Sequence, residues 1–133
     1  MSQDIPDDGA ARRATMEVEH RVQFGLIRAL QQAVEERQDG HTVEAVLEQL
    51  IDYSAAHFLS EELLMRLASY DEYEEHAENH RQLLDSLRTA LQQFRSTGRH
   101  ELIEQVTKSS LAFMLRHIQT RDVRFANWQR ATA

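Results

Sequence analysis

Apolar residues recur at intervals of three and four along most of this 133-residue chain, the spacing of helices that each bury one face. A first run over 14–38 carries Met16, His20, Phe24, Ile27, Leu30 and Val34, and stops at Asp39-Gly40. A second, over 42–68, carries Val43, Val46, Leu50, His57, Glu61 and Leu64, with Thr42 as its expected cap. A third, over 72–96, carries Tyr73, His76, His80, Leu83, Leu87 and Phe94; Asp71 and Glu74 offer a capping box, and Gly98 a stop. The fourth, over 100–128, carries Leu102, Val106, Phe113 and His117. No strand-like alternation competes with these runs. Four helices of about 25 residues joined by short loops predict an all-α, up-down-up-down antiparallel four-helix bundle. Residues 1–12 read as a flexible N-terminal arm and residues 13–133 as the one bundle domain.

Histidine and carboxylate positions interrupt the apolar stripes themselves. In chain order they are His20, then His57-x-x-x-Glu61, His76-x-x-x-His80, and His117-x-x-x-x-Asp122. Buried polar groups must be satisfied, and metal coordination is one way to do so. The start of the first helix, the end of the second, the start of the third and the end of the fourth share one end of such a bundle. At ~1.5 Å of rise per residue, all seven residues fall in one layer roughly 6–17 Å from that end. Residues at i and i+4 share a helix face, so His57 with Glu61, and His76 with His80, can each grip a common centre. His117 and Asp122 are five apart, about 140° around an ideal helix. Asp122 must therefore reach sideways, or the helix must loosen locally into a π-bulge.

Composition narrows the chemistry. The chain has no cysteine, which removes disulfides, iron–sulfur clusters and thiolate zinc sites together. Any metal must take nitrogen and oxygen ligands. A net charge of −7 argues against a nucleic-acid surface, which needs a basic stripe. No apolar segment is long enough to span a membrane. The polar, acidic start is unlike a signal peptide, so a cytoplasmic location is expected.

Seven side-chain ligands exceed what one tetrahedral zinc takes. Two carboxylates can each bridge two ions, which leaves five histidines to divide as three and two. With a solvent-derived bridge, one ion is then six-coordinate and the other five-coordinate, with an open position for a small ligand. Imidazole with carboxylate suits iron, zinc, copper or manganese, so ligand chemistry alone does not select the metal.

The segments HFLSEELLM around Glu61, YDEYEEHAENHRQLL around His76 and His80, and LRHIQTRD around Asp122 resemble the hemerythrin family over about residues 14–128. The resemblance implies two iron ions with an oxo or hydroxo bridge. His76, His80 and His117 would bind the first iron and His20 and His57 the second, with Glu61 and Asp122 bridging. It also implies reversible binding of dioxygen, or a similar small diatomic or anionic ligand, at the five-coordinate iron, for oxygen storage, transport, delivery or sensing. Reversibility needs a dry apolar pocket, for which Met114, Phe113, Phe24 and Phe58 are the expected lining. The stretch before the first histidine reads TMEVEH rather than an aspartate-rich segment, and the arm lacks tryptophan. These departures lean toward the bacterial, stand-alone or sensory branch of the family.

Blander readings account for the remaining polar residues. His41 and His100 sit at helix starts outside the motif and read as surface residues. Asp71, Glu72, Glu74, Glu75 and Glu78 read as a solvated helix face whose charges suit an N-terminus. Met16, Met65 and Met114 are core filler first, and Trp128 a seal for the bundle end or a partner contact. Two other functions compete with oxygen binding. One is a diiron oxidase or peroxidase, or a nitric oxide or redox-handling protein; its ferritin-like form would need Glu-x-x-His on two helices, and only Glu17-x-x-His20 fits. The other is a metal-free helical interaction module.

Overall fold

The computed structural model describes the backbone of residues 8–132 and the side chains of residues 14–132. Its helices are α1 (Asp8–Glu35), α2 (Gly40–Leu67), α3 (Tyr73–Thr97) and α4 (His100–His117), then a π-helical turn (Ile118–Asp122) and α5 (Val123–Thr132). Among the described residues there is no strand. Helix α1 packs on α2 and α4, and α3 packs on the same two. This is the antiparallel up-down-up-down bundle that the apolar spacing predicts. The first seven residues of the expected arm lie outside the described residues, and residues 8–12 belong to α1.

The apolar stripes meet along the bundle axis. Ile27, Leu30, Val43, Leu47, Leu50, Leu87 and Ile103 are essentially without solvent contact and form one continuous core. Burying each such side chain contributes about 1.5–3 kcal/mol. A smaller cluster of Met65, Tyr70 and Phe125, with Tyr73 and Trp128 packed against it, closes the end where α2 turns into α3. Trp128 therefore does seal the bundle, 5.0 Å from the Tyr70 ring.

The helix ends differ from the expected signals. Helix α1 stops before Asp39-Gly40, in a turn where Arg37 takes a left-handed φ of 51°. Two bonds, Arg37 N–H to Val34 O (3.0 Å) and Gln38 N–H to Ala33 O (3.0 Å), satisfy carbonyls of its last turn. Asp39 then caps α2 by accepting from the Thr42 N–H at 2.9 Å; Thr42 is the capped residue, not the cap. Helix α2 closes with the same motif, using Ser69 (φ 55°) and Tyr70 N–H to Met65 O at 2.9 Å. The side chains of Tyr70 and Met65 pack together in the end cluster, the apolar contact that accompanies this motif. The Asp71/Glu74 capping box is absent: Glu72 occupies the cap position without a side-chain capping bond. It accepts from the Tyr70 hydroxyl (2.8 Å) and from Arg124 (3.1 Å) instead. Gly98 ends α3 as expected, at φ 65°.

The fourth helical run is not one continuous α-helix. Between His117 and Asp122 the chain loosens into the π-helical turn, whose i→i+5 bonding brings residues five apart into register. Of the two routes open to Asp122, the chain takes this one.

Candidate metal centre

Each of the four helices delivers side chains to one layer near the α2–α3 end of the bundle. His57, Glu61, His76, His80 and His117 are all at most 2% exposed, and His20 and Asp122 are nearly as enclosed, at 13% and 10% for their side chains. The Nε2 atoms of the histidines converge on the two carboxylates. Glu61 Oε1 lies 2.5 Å from His76, 3.2 Å from His80 and 3.8 Å from His117. Glu61 Oε2 lies 3.6 Å from His57. Asp122 reaches His76 and His117 at 3.1 Å through Oδ1, and His20 at 3.1 Å through Oδ2. All seven residues singled out in the sequence are thus brought together.

Outward, the rings are clasped in a regular way. His57 Nδ1 lies 2.7 Å from Glu19 Oε2, His80 Nδ1 lies 2.8 Å from Glu62 Oε2, and His117 Nδ1 lies 2.5 Å from Asn79 Oδ1. In each pair the ring N–H donates and the oxygen accepts. Each acceptor is the chain neighbour of one of the seven residues, and it holds a histidine of the next helix: α1 holds α2, α2 holds α3, α3 holds α4. One residue along a helix is a rotation of about 100°. The neighbour of an inward-pointing side chain therefore points into the seam with the adjacent helix. The contact between Asp122 and His20 closes the ring. Glu19, Glu62 and Asn79 were not singled out in the sequence, although their adjacency to inward residues was a signal.

The clasps decide the chemistry of the inner atoms. An Nδ1–H committed outward leaves Nε2 of the neutral ring with a lone pair aimed inward, the form in which histidine binds metal. His80 Nε2 and His117 Nε2 face each other at 2.9 Å, unfavourable for two lone pairs without a cation or proton between them. With the inner ring nitrogens unprotonated, seven buried side-chain atoms of this layer make no hydrogen bond: Nε2 of His20, His57 and His76, and both oxygens of Glu61 and of Asp122. Buried polar atoms are otherwise nearly always paired, so converging unpaired lone pairs fit a positively charged occupant.

Without a metal, protons fill part of that role. Burial and the neighbouring Asp122 charge push the Glu61 carboxyl up, yet hydrogen bonds from His117, His76 and His80 outweigh them and hold it at about 2. Burial opposes the charged form of His117, but bonding to Asp122 and Glu61 raises it to about 9. His76 is raised by the same two carboxylates against the same burial. Asp122 is held well below the usual carboxylate range, with His117, His20 and His76 overcoming burial.

Of the four side chains expected to line a ligand pocket, Phe58 and Phe113 meet the histidines of this layer, while Met114 and Phe24 pack with the main core. Phe58 is buried and stacks on His80 with ring centroids 3.9 Å apart and planes within 6°. Phe113 stacks more distantly on His117, at 5.9 Å. Met114 is fully buried, and Phe24 is half-buried against the main core. A separate apolar cleft of about 180 Å³ opens beside His20 and Asp122, with Met16, Leu64, Ile118 and Phe125 in its walls. The polar residues outside the layer have ordinary partners. His41 is exposed, and His100, half-buried, donates from Nε2 to Gln38 O at 3.2 Å. On the acidic face Glu75 pairs with Arg121, Glu72 with Arg124 and Glu78 with Arg81.

A helical bundle with two side-chain groups able to hold a metal ion, Glu61-His76-His80-His117 and His20-His57-Glu61, defines a cation-binding four-helix protein. A family model, the hemerythrin HHE cation binding domain, matches residues 12–126. The chain therefore belongs to the hemerythrin family. No curated protein matches it in sequence. No helix among the described residues is long and apolar enough to cross a membrane.

Proposed function

We propose that this protein holds two iron ions and binds dioxygen, or a similar small ligand, reversibly, for oxygen storage, delivery or sensing. The observation that carries this reading is the set of seven buried, unpaired nitrogen and oxygen atoms converging on one layer. His76, His80 and His117 would hold one iron, His20 and His57 the other, and Glu61 and Asp122 both. The two side-chain groups that share Glu61 support that division. Iron held by these residues would supply reversible electron transfer to a small ligand.

The chain's own residues supply the rest. Glu19, Glu62 and Asn79 keep the protons of His57, His80 and His117 on Nδ1, so that Nε2 stays available. Phe58, lying flat on His80, keeps water from that ring. The least enclosed members of the layer are His20 and Asp122, and the apolar cleft beside them favours a small, weakly hydrated ligand over a bulky polar one.

An iron assay with visible spectra, before and after air meets the anaerobic ferrous protein, tests this reading. Two irons per chain and a charge-transfer band that fades when oxygen is removed are expected. A band that never forms, or one that decays promptly to a stable ferric spectrum, would replace oxygen carriage with peroxide, nitric oxide or redox handling.

A further inference from the structure

Between α3 and α4, on the outer side of His117, lies a cleft of about 490 Å³, a volume typical of small-molecule sites. Its polar walls are Asn79, Gln82, Ser109, Arg116, Thr120 and Arg121. No carboxylate lines it, although the chain carries 22 acidic residues against 15 basic ones. Arg121 is engaged by Glu75 at 2.8 Å on the rim. Arg116, exposed at the cleft, has no ion-pair partner among the described residues, so its guanidinium is available to a ligand.

The donors of the cleft are partly pre-set. Asn79 spends its carbonyl oxygen on His117 Nδ1 at 2.5 Å, so its NH₂ group is free to donate, and no described residue accepts from it. The Thr120 hydroxyl is spent on Arg116 O at 2.6 Å and gives the cleft no donor. Phe113 and Ala112 give the cleft an apolar wall. Guanidinium and amide donors with no competing acceptor charge are the chemistry that recognises an oxyanion.

We infer that this cleft binds a small multivalent oxyanion, a phosphate or a polycarboxylate, on Arg116 and the Asn79 amide. An anion accepting from Asn79 polarises the same amide that accepts from His117. The cleft is thereby an effector site that acts on the metal layer from outside it. The binding itself does not depend on the metal reading, because Arg116, Gln82 and the Asn79 amide group lie outside the layer.

Isothermal titration calorimetry of the full chain with inorganic phosphate and with citrate, at constant ionic strength and with and without iron, tests the site. Saturable binding of at least one anion is expected, and the stronger of the two tells phosphate from carboxylate. Arg116→Gln is expected to weaken binding at least about tenfold. Glu75→Gln, which frees Arg121, is expected to tighten it roughly threefold. Unchanged melting of Arg116→Gln separates a lost site from a lost fold. Non-saturable heats, or equal affinity in Arg116→Gln, overturn the site. In the iron-loaded protein, saturation is expected to shift the visible band; Arg116-dependent binding that leaves the band still overturns the coupling to His117.

Discussion

Glu61 and Asp122 are the two residues on which the layer turns, because each meets histidines from more than one helix. Glu61 lies among His57, His76, His80 and His117, and Asp122 among His20, His76 and His117. Replacing either with alanine is expected to cut iron content from two per chain toward one or none, measured by iron assay on purified protein. Retention of both irons would show that neither carboxylate bridges. His41→Ala serves as the control, since this exposed histidine stands apart from the layer; its visible spectrum is expected to match the parent's.

Among the elements, the helix ends carry the conformational cost. Gly98 and Arg37 occupy the same left-handed region, at φ 65° and 51°, but only glycine does so without a steric penalty. Nothing lies within 4 Å of a Cβ built on Gly98, so Gly98→Ala tests the backbone alone. It is expected to lose about 1 kcal/mol and a few degrees of Tm. Arg37→Gly is expected to move the other way, by about 0.5–1 kcal/mol, because the strain at that turn is relieved. Thermal melts of the two variants beside the parent check both signs. The π-helical turn is the other decisive element. It converts a five-residue spacing into a shared direction and so lets Asp122 reach Oδ contacts with His76 and His117.

For the whole molecule, the metal layer couples folding to pH. In the metal-free protein His117 has a folded pKa of about 9 against an ordinary 6.5. A raised pKa adds stability that is fully present below the unfolded value and is lost as pH rises through the folded one. Glu61, lowered from 4.5 to about 2, adds stability present above its unfolded value and lost as pH falls toward 2. The metal-free protein is therefore expected to be most stable between about pH 4.5 and 6.5 and to weaken from 6.5 to 9, by on the order of 3 kcal/mol. Urea melts across that range, on protein stripped with a chelator, measure this. The iron-loaded protein is expected to lose the alkaline decline, since the metal takes the place of the protons. A metal-free protein equally stable at pH 6.5 and 9 would mean that the histidines of the layer carry no extra proton.

Spacing alone carried the bundle and its inner layer. Apolar intervals of three and four give helices with one buried face wherever they occur, and seven ligand-type residues on those faces fall at one depth by helical rise alone. These are local, periodic properties, legible without knowing what packs where. Even the five-residue gap from His117 to Asp122 announced a choice between a sideways reach and a local loosening, though not its outcome. The chain's own order could not say which polar side chains would hold the histidines from behind. Glu19, Glu62 and Asn79 were selected by the angle between neighbouring helices, which turns one flank of each inward residue into the next seam. Nor could it say that Asp39 would cap α2 in place of Thr42, or that Arg37 would accept a left-handed turn with Gly40 close by. Those choices are small differences between competing local bonds. Packing of the four helices decided them, because only in the assembled bundle do the alternatives acquire different partners.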